Sequence, residues 1–333
     1  MSKHVYIIAE AGVNHNGSLD TAKQLILEAK KIGVDAIKFQ TFRAEKLILE
    51  ETEKAAYQRN ETSETQFSML KRLELKHEDF KELKKFSIEK DIEFLSSAFD
   101  LESLDFLISS DLPRYKLPSG EITNKPFLKK LGALNKPLIL STGMSTIDEI
   151  RASLDVLYQA GLDQENLTLL HCNTDYPTAF SDVHLNAMQN LKDVFGVAVG
   201  YSDHTIGNEI SIGAVALGAS VIEKHFTLDK NQEGPDHASS LEPKQFAELV
   251  KAIRNITNAL GKYEKKPSAN ELKNLFFVRK SIVSSREIKE GEEFSEQNIA
   301  CKRPAGGISP MKWDDVLGKK AKRNYYPGEY IEL

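Results

Sequence analysis

The sequence has little cysteine, a single tryptophan and no long uninterrupted hydrophobic run. Two cysteines among 333 residues, Cys172 and Cys301, exclude a disulfide-rich secreted scaffold and a zinc site built from several cysteines. No stretch reaches the roughly 20 apolar residues of a membrane-spanning helix, and the first residues lack the apolar core of a signal peptide. A net charge of −5 provides no basic field for nucleic acid. We therefore expect a cytoplasmic protein with reduced thiols that binds neither nucleic acid nor membrane.

Short β-rich runs alternate with helical patterns over the first 261 residues. The runs are almost continuously apolar, which is typical of parallel strands buried on both faces. They lie at 5–13, 35–42, 93–99, 114–120, 137–143, 167–174, 197–203 and 220–227. Helices are predicted between and after them, among others at 18–33, 146–161 and 242–261. Eight strands alternating with helices predict an α/β fold of the TIM (β/α)8 barrel type. A doubly wound open sheet is the alternative.

The remaining segments define the domain organisation. Residues 43–75 form one long insertion between the second and third strands, and they predict a helix after a polar stretch that could act as a lid. Residues 262–275 are polar and charged and predict a linker. Residues 276–333 contain short β-runs and turns. We therefore divide the chain into a barrel domain (1–261), a linker and a small β-rich domain.

Polar residues end nearly every predicted strand, at the face where TIM barrels build their active sites. We expect them to converge on one mouth. The set includes Glu10, Asn14, His15, Lys38, Gln40, Ser96, Ser97, Lys116, Ser119, Glu121, Ser141, His171, Asn173, Thr174, Asp203, His204 and His225.

Two histidines stand at the ends of neighbouring strands. His204 follows the seventh strand and His225 belongs to the eighth, so both imidazoles could face the same mouth. Neutral imidazole binds Mn²⁺, Fe²⁺ or Zn²⁺, and two protein ligands leave coordination positions open, as a catalytic ion requires. The pair predicts a metal site. Two ordinary hydrogen-bonded histidines are the alternative.

Two lysines stand just inside the ends of predicted strands. Burial of Lys38 and Lys116 there is costly unless an anion pairs with each ammonium group. Ser119 and Ser141, each beside a glycine-containing turn, supply nearby hydroxyl and backbone donors. These groups predict a cradle for phosphate or carboxylate, unless the lysines extend to solvent and the glycines only shape turns. The chain has no Walker motif and no GxGxxG motif, so nucleotide binding has no support.

Three further residues could carry chemistry. Glu10 ends the first strand and could act as a general acid or base, or bind a substrate hydroxyl. A structural carboxylate paired to a barrel lysine explains Glu10 equally well. Asp236 lies on the loop after the eighth strand. Arg303 lies in a turn of the small domain, where pattern alone predicts a solvated surface residue.

Taken together, these motifs resemble the N-acetylneuraminic acid (sialic acid) synthase family, which includes the N,N'-diacetyllegionaminic acid synthases. The resemblance covers nearly the whole chain, in order and with the spacing intact. Through the barrel it is carried by AEAGVNHNGS, IKFQT, KLPSGE, LSTGM, LLHCNTDYPT, GYSDHT, IEKHFTLD and GPDH. The tail RKSIVSSREIKEGEEFSEQNIACKRPAGGISP is similar to the antifreeze-like (SAF) domain of these synthases. The resemblance implies a TIM barrel followed by a SAF domain.

The resemblance also implies a role for each matching residue. His204 and His225 match ligands of a divalent metal, usually Mn²⁺, with Mg²⁺ and Co²⁺ as alternatives. Residues that match phosphoenolpyruvate ligands are Lys38, Ser97, Lys116, Ser119, Ser141, Asn173 and Thr174. Residues that match sugar ligands are Gln40, Tyr176, Asp236, Phe277 and Arg303. The order Asn173-Thr174 is reversed in some relatives, which leaves open which of the two contacts the ligand. Arg303 would reach into the partner's barrel in a domain-swapped homodimer.

The implied reaction is the metal-dependent condensation of phosphoenolpyruvate with N-acetylmannosamine to give N-acetylneuraminic acid and phosphate. Glu10 matches a carboxylate beside the reacting carbons. A metal would polarise the sugar aldehyde as a Lewis acid, and the lysines would neutralise the phosphate and carboxylate. The resemblance further implies that carbon–oxygen rather than phosphorus–oxygen bond cleavage releases the phosphate.

Other functions are compatible with parts of the sequence. The nearest is the same reaction on 2,4-diacetamido-2,4,6-trideoxymannose, giving N,N'-diacetyllegionaminic acid; residues around Gln40, Tyr176 and 43–62 would decide between the two sugars. Pseudaminic acid synthases are a more distant possibility. A metal-dependent aldolase or lyase would need no phosphate cradle. An ice-binding protein would need a flat surface, which the arginine-bearing turn does not favour.

Overall fold

The computed structural model describes residues 4–52 and 65–333. The chain divides into two compact units, Met1–Gly261 and Lys262–Leu333. The strands of the first unit are β1 (Tyr6–Gly12), β2 (Ala36–Thr41), β3 (Glu93–Ala98), β4 (Tyr115–Leu117), β5 (Leu138–Ser141), β6 (Leu167–Cys172), β7 (Ala198–Asp203) and β8 (Val221–His225). Each falls within a run of the sequence that predicts a strand.

The eight strands form one parallel sheet in the order β3-β2-β1-β8-β7-β6-β5-β4. β1 pairs with both β2 and β8, which joins the first strand to the last. β3 and β4, at the two ends of this order, also lie side by side. The ring so formed confirms the TIM barrel and excludes the doubly wound sheet, which does not join its first strand to its last.

Helices pack around the ring, except that α2 and α3 lie at its mouth and line the cavity there. Those of the first unit are α1 (Leu19–Ile32), α2 (Ala44–Leu47), α3 (Gln66–Leu73), α4 (His77–Glu89), α5 (Leu101–Ser109), α6 (Lys125–Leu134), α7 (Ile147–Ala160), α8 (Ala187–Phe195), α9 (Glu209–Ala216) and α10 (Pro243–Leu260). Thr146 and Glu149 form the capping box predicted at the start of α7. None of the described helices combines the length and apolarity that a membrane span requires.

The insertion between β2 and β3 contains the predicted helix, which is α3. Residues 53–64 of this insertion lie outside the described residues. The part of the segment 43–62 beyond residue 52, which we expect to influence the choice of sugar, therefore has no structural description.

The interior of the barrel is layered. One layer is an apolar cluster of Ile8, Ala36, Leu95, Ile139, Leu170 and Val221. Two residues further along the same six strands stand Glu10, Lys38, Ser97, Ser141, Cys172 and Glu223. Because side chains of a strand alternate between its two faces, the second set forms the next layer inside the ring. The barrel interior thus changes from apolar to polar toward the carboxyl ends of its strands.

The second unit has a hydrophobic core of its own, which includes Ile282, Phe294 and Tyr325. Its described elements are α11 (Ala269–Val278), β9 (Ser281–Ser284), β10 (Ile299–Lys302) and α12 (Trp313–Val316), and β9 and β10 are antiparallel. The stretch predicted as a linker, 262–275, contains most of α11. A capping box between Ser268 and Glu271 starts this helix. The polar and charged composition of the stretch indicates a linker and gives no sign of the helix.

Candidate active site

A cavity of about 330 Å³ lies at the carboxyl ends of the barrel strands. It collects side chains from most of the strands and from the loops that follow them. The predicted site residues that line it are Glu10, Lys38, Gln40, Lys116, Ser119, Ser141, Asn173, Thr174, Tyr176, His204, His225 and Asp236. Ser97 is not part of this lining, although its Oγ lies 3.4 Å from Nζ of Lys38.

A cluster of four buried charges occupies the floor of the cavity. Nζ of Lys38 lies 2.9 Å from Oε2 of Glu10 and 3.6 Å from Oε2 of Glu223. Oε1 of Glu223 lies 3.6 Å from Nζ of Lys116, so this carboxylate bridges the two ammonium groups. Both lysines are buried rather than extended to solvent, with exposed fractions of 3% and 5%.

Small hydroxyl groups complete the environment of Lys116. Its Nζ donates to Oγ of Ser141 at 2.7 Å. Oγ of Ser119 accepts the backbone N–H of Gly143 at 2.9 Å, and a Cβ at Gly143 would lie 2.9 Å from this oxygen. Glycine at this position therefore lets the backbone approach the hydroxyl closely. Ser141 is thus a direct partner of Lys116, and Ser119 lines the same cavity.

The buried charges shift one another's proton affinities. Burial raises the pKa of Glu10 to about 7, although the positive charge of Lys38 opposes the shift. Burial also acts to raise the pKa of Glu223, but the two lysines outweigh it and hold the pKa at about 2. Burial lowers the pKa of Lys116. Glu223 is therefore the permanent anion of the cluster, whereas Glu10 can exchange a proton near neutral pH.

His204 and His225 lie side by side above this floor. Their ring centroids are 5.4 Å apart, with an interplanar angle of 57°. Nδ1 of His204 lies 2.6 Å from the backbone oxygen of Asn173, so Nδ1 carries the hydrogen and Nε2 keeps its lone pair. Burial lowers the pKa of His204 to about 4 and that of His225 well below its usual value. Both imidazoles are therefore neutral at pH 7.

The donor set fits a metal ion. Nδ1 of His225 is buried and has no hydrogen-bond partner among the described residues, and Oδ2 of Asp236 lies 3.9 Å from it. Two neutral imidazoles suit Mn²⁺, Fe²⁺ or Zn²⁺. Within residues 4–52 and 65–333, no group of three or more His, Cys, Asp and Glu side chains forms a metal-binding cluster. An ion held by these two histidines would therefore keep coordination positions for substrate or water.

Tyr176 packs against both histidines. Its ring centroid lies 4.1 Å from that of His204 and 5.5 Å from that of His225, to which its ring is perpendicular. The Asn173 side chain is engaged in structure, since its Nδ2 donates to the backbone oxygen of Asp182 at 2.8 Å. Its Oδ1 is buried without a partner among the described residues. Tyr176 and Asn173 thus fix the orientation of the imidazoles from the side of the β6 loop.

Asp236 lies on the loop after β8 and lines the cavity beside His225. Its backbone oxygen accepts the hydroxyl of Ser240 at 2.7 Å, and Ser240 in turn accepts Nδ2 of Asn14 at 2.9 Å. Burial raises the pKa of the Asp236 carboxyl to about 6. Through Asn14 and Ser240, the loop after β1 therefore holds the loop that carries Asp236.

Gln40 also contacts a residue of the floor: its Nε2 donates to Oε1 of Glu10 at 3.3 Å.

Three strand-end residues expected at the mouth face away from it: Ser96, His171 and Asp203. Asp203 pairs with Nζ of Lys224 at 2.8 Å, and Nε2 of His171 lies 2.7 Å from the backbone oxygen of Val183. Ser96 donates to a backbone oxygen of β2. Their immediate neighbours along each strand face the interior, because successive side chains point to opposite sides. The prediction that these three side chains face the mouth is therefore wrong.

Asn14, His15 and Glu121 also lie outside the described lining of the cavity. His15 is buried, and its Nδ1 accepts the backbone N–H of Gly17 at 3.0 Å. Burial lowers the pKa of His15 to about 4, and His237 lowers it further. Glu121 lies in a short 3-10 turn after β4. These residues shape the loops of the mouth rather than its surface.

Glu223 is the one buried charge of the floor that the sequence analysis did not single out. It stands two residues before His225 on β8, so strand alternation places both side chains on the same face. That spacing was the available signal. The apolar residues of the insertion that line the cavity were also missed, because their approach to the barrel mouth is a tertiary contact.

Phe277 and Arg303 belong to the second unit, and both side chains are exposed within the described chain. Phe277 is 66% exposed. Their assignment as sugar ligands stays a prediction.

Comparison with known proteins places this site in a family. The NeuB family model matches residues 25–265, and the SAF domain model matches residues 279–332. The first of these spans more than half of the chain and contains both histidines and both lysines of the cavity.

The chain belongs to the NeuB family.

Individual relatives agree. The NeuB-family chain is 53% identical to the N,N'-diacetyllegionaminic acid synthase of Campylobacter jejuni, over 99% of each chain. It is 46% identical to the enzyme of the same name from Legionella pneumophila, over 98% of this chain and 94% of the relative. A solved N-acetylneuraminic acid synthetase from Leptospira borgpetersenii superposes with a TM-score of 0.74 at 34% identity, over 82% of this chain and 90% of that one.

These findings confirm the family, the barrel with its SAF domain, and the class of enzyme. This NeuB-family chain is a phosphoenolpyruvate-dependent synthase of sialic or other nonulosonic acids. The aldolase and ice-binding alternatives are thereby excluded.

Proposed function

We propose that this chain condenses phosphoenolpyruvate with 2,4-diacetamido-2,4,6-trideoxymannose, giving N,N'-diacetyllegionaminic acid and phosphate. The motifs alone favour N-acetylmannosamine as the sugar, with this trideoxy sugar as the alternative. The two relatives at 53% and 46% identity, both N,N'-diacetyllegionaminic acid synthases, support the second sugar instead. The structural observation that carries the proposed reaction is one cavity with a buried lysine pair as its floor and two neutral histidines above it.

Phosphoenolpyruvate would bind at the floor of the cavity. Lys38 and Lys116 supply two positive charges for its phosphate and carboxylate groups, and Ser97 and Ser141 already contact their ammonium groups. Ser119, Asn173 and Thr174 are the further predicted ligands. Charge-assisted hydrogen bonds of this kind are stronger than neutral ones. Because the lysines are held before binding by Glu10 and Glu223, little reorganisation is needed when the substrate arrives.

A divalent metal, Mn²⁺ by preference, would bind His204 and His225. When bound, such an ion supplies Lewis acidity toward the sugar aldehyde. The chain's own contribution is to present two neutral imidazoles, one of them oriented by the backbone oxygen of Asn173. Tyr176 and Asp236 flank the imidazoles and limit the directions from which an aldehyde can approach.

The sugar would lie between the histidines and the outer part of the cavity. Gln40, Tyr176 and Asp236 are the predicted ligands within the barrel, and Asp236 can accept or donate a hydrogen bond because its pKa is raised to about 6. Arg303 and Phe277 would be supplied by the second unit of a partner subunit in a domain-swapped homodimer. This arrangement would make the site complete only in the dimer.

The proposed reaction forms a carbon–carbon bond and a carbon–oxygen bond to water, and it breaks the carbon–oxygen bond to phosphate. Carbon 3 of phosphoenolpyruvate attacks the aldehyde carbon, water adds to carbon 2, and phosphate leaves with the bridging oxygen, while the two protons of the water end on the former aldehyde oxygen and on the phosphate. Glu10 lies beside Lys38 with a pKa of about 7. It is therefore suited to hold or take up a proton as the tetrahedral intermediate forms and collapses.

The experiment is a turnover assay of the purified protein with phosphoenolpyruvate, Mn²⁺ and each sugar in turn, scored by released phosphate and by mass of the product. We expect higher kcat/KM for the trideoxy sugar than for N-acetylmannosamine. Phosphoenolpyruvate labelled with ¹⁸O at the bridging position should deliver the label to phosphate. Turnover of neither sugar would refute the proposed substrate, and label retained in the nonulosonic acid would refute the cleavage.

A further inference from the structure

The outer part of the cavity has an apolar wall. Seven of its lining side chains pack together, four of them buried and three partly buried. They come from the loops after β1 and β3, from the segment after β2, and from α3. The apolar wall consists of Val13, Phe42, Leu47, Met69, Leu70, Leu73 and Phe99.

Positions along one strand give the depth of this wall. Lys38 and Gln40 leave β2 on the same side because they are two residues apart, Phe42 follows directly after the end of β2, and all three line the cavity. Two residues of strand advance by roughly 6.6 Å. Moving outward from the floor, the β2 side of the cavity therefore changes from an ammonium group to an amide and then to an aromatic ring.

Among the described residues, polar side chains are few at the outer level on this side of the cavity. On α3, Met69, Leu70 and Leu73 line the cavity, and Gln66 at the start of the helix is the one polar residue of the described helix that does so. Met69 and Leu73 are 3% and 1% exposed, so their contacts are with the wall and the cavity. A substrate group that lies against them meets carbon and sulfur rather than hydrogen-bond partners.

The proposed binding mode points one end of the sugar toward this wall. The aldehyde at carbon 1 must approach the histidines and the enol ester on the floor, so the opposite end of the open chain extends toward the mouth. In 2,4-diacetamido-2,4,6-trideoxymannose that end is a methyl group, whereas in N-acetylmannosamine it is a hydroxymethyl group.

We infer that the apolar wall receives carbon 6 of the sugar and selects a methyl group over a hydroxymethyl group there. This inference rests on the proposed function and adds the feature of the substrate that the wall recognises. A hydroxyl placed against the wall loses its hydrogen bonds to water without gaining others. An apolar pocket rejects an added hydroxyl only moderately, by up to about 100-fold. We therefore expect a preference of about 10- to 100-fold in kcat/KM, by the same principle.

The test compares two sugars that differ only at carbon 6: N-acetylmannosamine and 2-acetamido-2,6-dideoxymannose. The wild-type protein should turn over the 6-deoxy sugar with about 10- to 100-fold higher kcat/KM. Met69→Gln keeps the length of the side chain and adds an amide that can bond a hydroxyl, so it should narrow this ratio toward one. Met144→Gln makes the same change at a cavity residue outside the apolar wall and should leave the ratio between the kcat/KM values of the two sugars unchanged.

The possible results separate this inference from the proposed function. A wild-type ratio near one, together with turnover of the trideoxy sugar, would overturn the role of the wall and leave the proposed function intact. If Met69→Gln and Met144→Gln narrowed the ratio of the two kcat/KM values equally, the role of the wall would also be overturned. Because the wild-type comparison needs no variant, a Met69→Gln protein that failed to fold would still leave the inference open to refutation. Absence of turnover with every sugar would instead refute the proposed function.

Discussion

The ammonium group of Lys38 lies 2.9 Å from the carboxylate of Glu10, and both side chains are buried within the barrel. Removing one member of a buried ion pair leaves an uncompensated charge and costs about 3–5 kcal/mol. Lys38→Met should therefore lower the free energy of unfolding in urea by about 3 kcal/mol. The double variant with Glu10→Gln should recover part of this loss. An additive double variant would contradict the coupling, and Lys31→Met on the surface serves as control.

Substitution of either histidine of the pair should impair metal binding, and this defect can be measured without turnover. His204→Ala and His225→Ala should each weaken Mn²⁺ binding by about 100-fold or more, because loss of either ligand leaves a single imidazole. Isothermal titration with Mn²⁺ alone measures this, and circular dichroism checks the fold. His171→Gln, whose residue lies outside the cavity lining, should bind Mn²⁺ as the wild type does. Retained affinity in both alanine variants would remove the metal assignment.

Ser240 links the loop after β1 to Asp236 and should act as a positioning residue. Ser240→Ala leaves the amide of Asn14 and the carbonyl of Asp236 without this partner, at a cost of about 1–3 kcal/mol. We expect the KM for the sugar to rise several-fold while the KM for phosphoenolpyruvate stays constant. Ser239→Ala is the neighbouring control. Equal increases in both KM values would show a general loss of structure instead.

His15 should make stability depend on pH. Its pKa is about 4 in the folded protein and about 6.5 in an unfolded chain, so the unfolded chain binds more protons between these values. The free energy of unfolding should fall as pH drops from about 6.5 toward 4, by up to about 3 kcal/mol from this residue. This contribution is fully present above a pH of about 6.5.

Urea unfolding at a series of pH values between about 7.5 and 5 tests this dependence. His15→Gln should flatten the decline but not abolish it, since burial also lowers the pKa values of His204, His225 and His237. His184→Gln, at an exposed position, should leave the decline unchanged. A decline in the His15→Gln protein as steep as in the wild type would refute the prediction.

Arg303 is the residue whose predicted role departs most from its local pattern. Arg303→Ala should raise the KM for the sugar more than the KM for phosphoenolpyruvate, because the arginine is expected on the sugar side of the partner's site. Lys302→Ala removes a neighbouring exposed charge and serves as control. A selective loss of phosphoenolpyruvate affinity would contradict the placement.

Most of the barrel could be predicted from the sequence because hydrophobic runs and capping signals are local. All eight strands overlap their predicted runs, and the Thr146 capping box starts α7 as expected. The helix α11 was missed although Ser268 and Glu271 show the same signal. In this stretch the charged and polar composition indicates a linker, whereas the capping residues indicate a helix, and the capping signal is the correct one.

The residues that belong to the site could be predicted better than the directions in which their side chains point. Strand ends indicated that Lys38, Lys116, His204 and His225 share one mouth, and the structure brings them together. Strand alternation relative to His225 would place Glu223 inside the barrel, and alternation along β7 would place Asp203 outside, but a polar residue at a strand end does not by itself indicate which face it occupies. Contacts between distant segments, such as the approach of α3 to the mouth, leave no local pattern in the sequence.

The pairing of Asp203 with Lys224 on the outer side of β7 and β8 has a consequence for the register of these strands. A slip of β8 by one residue would turn Lys224 into the lumen, away from Asp203 on β7, and would place Glu223 and His225 among the aliphatic side chains of the helices. Both changes would separate charged or polar groups from their partners. Ion pairs on the two faces of the sheet therefore each favour the same register of β7 and β8.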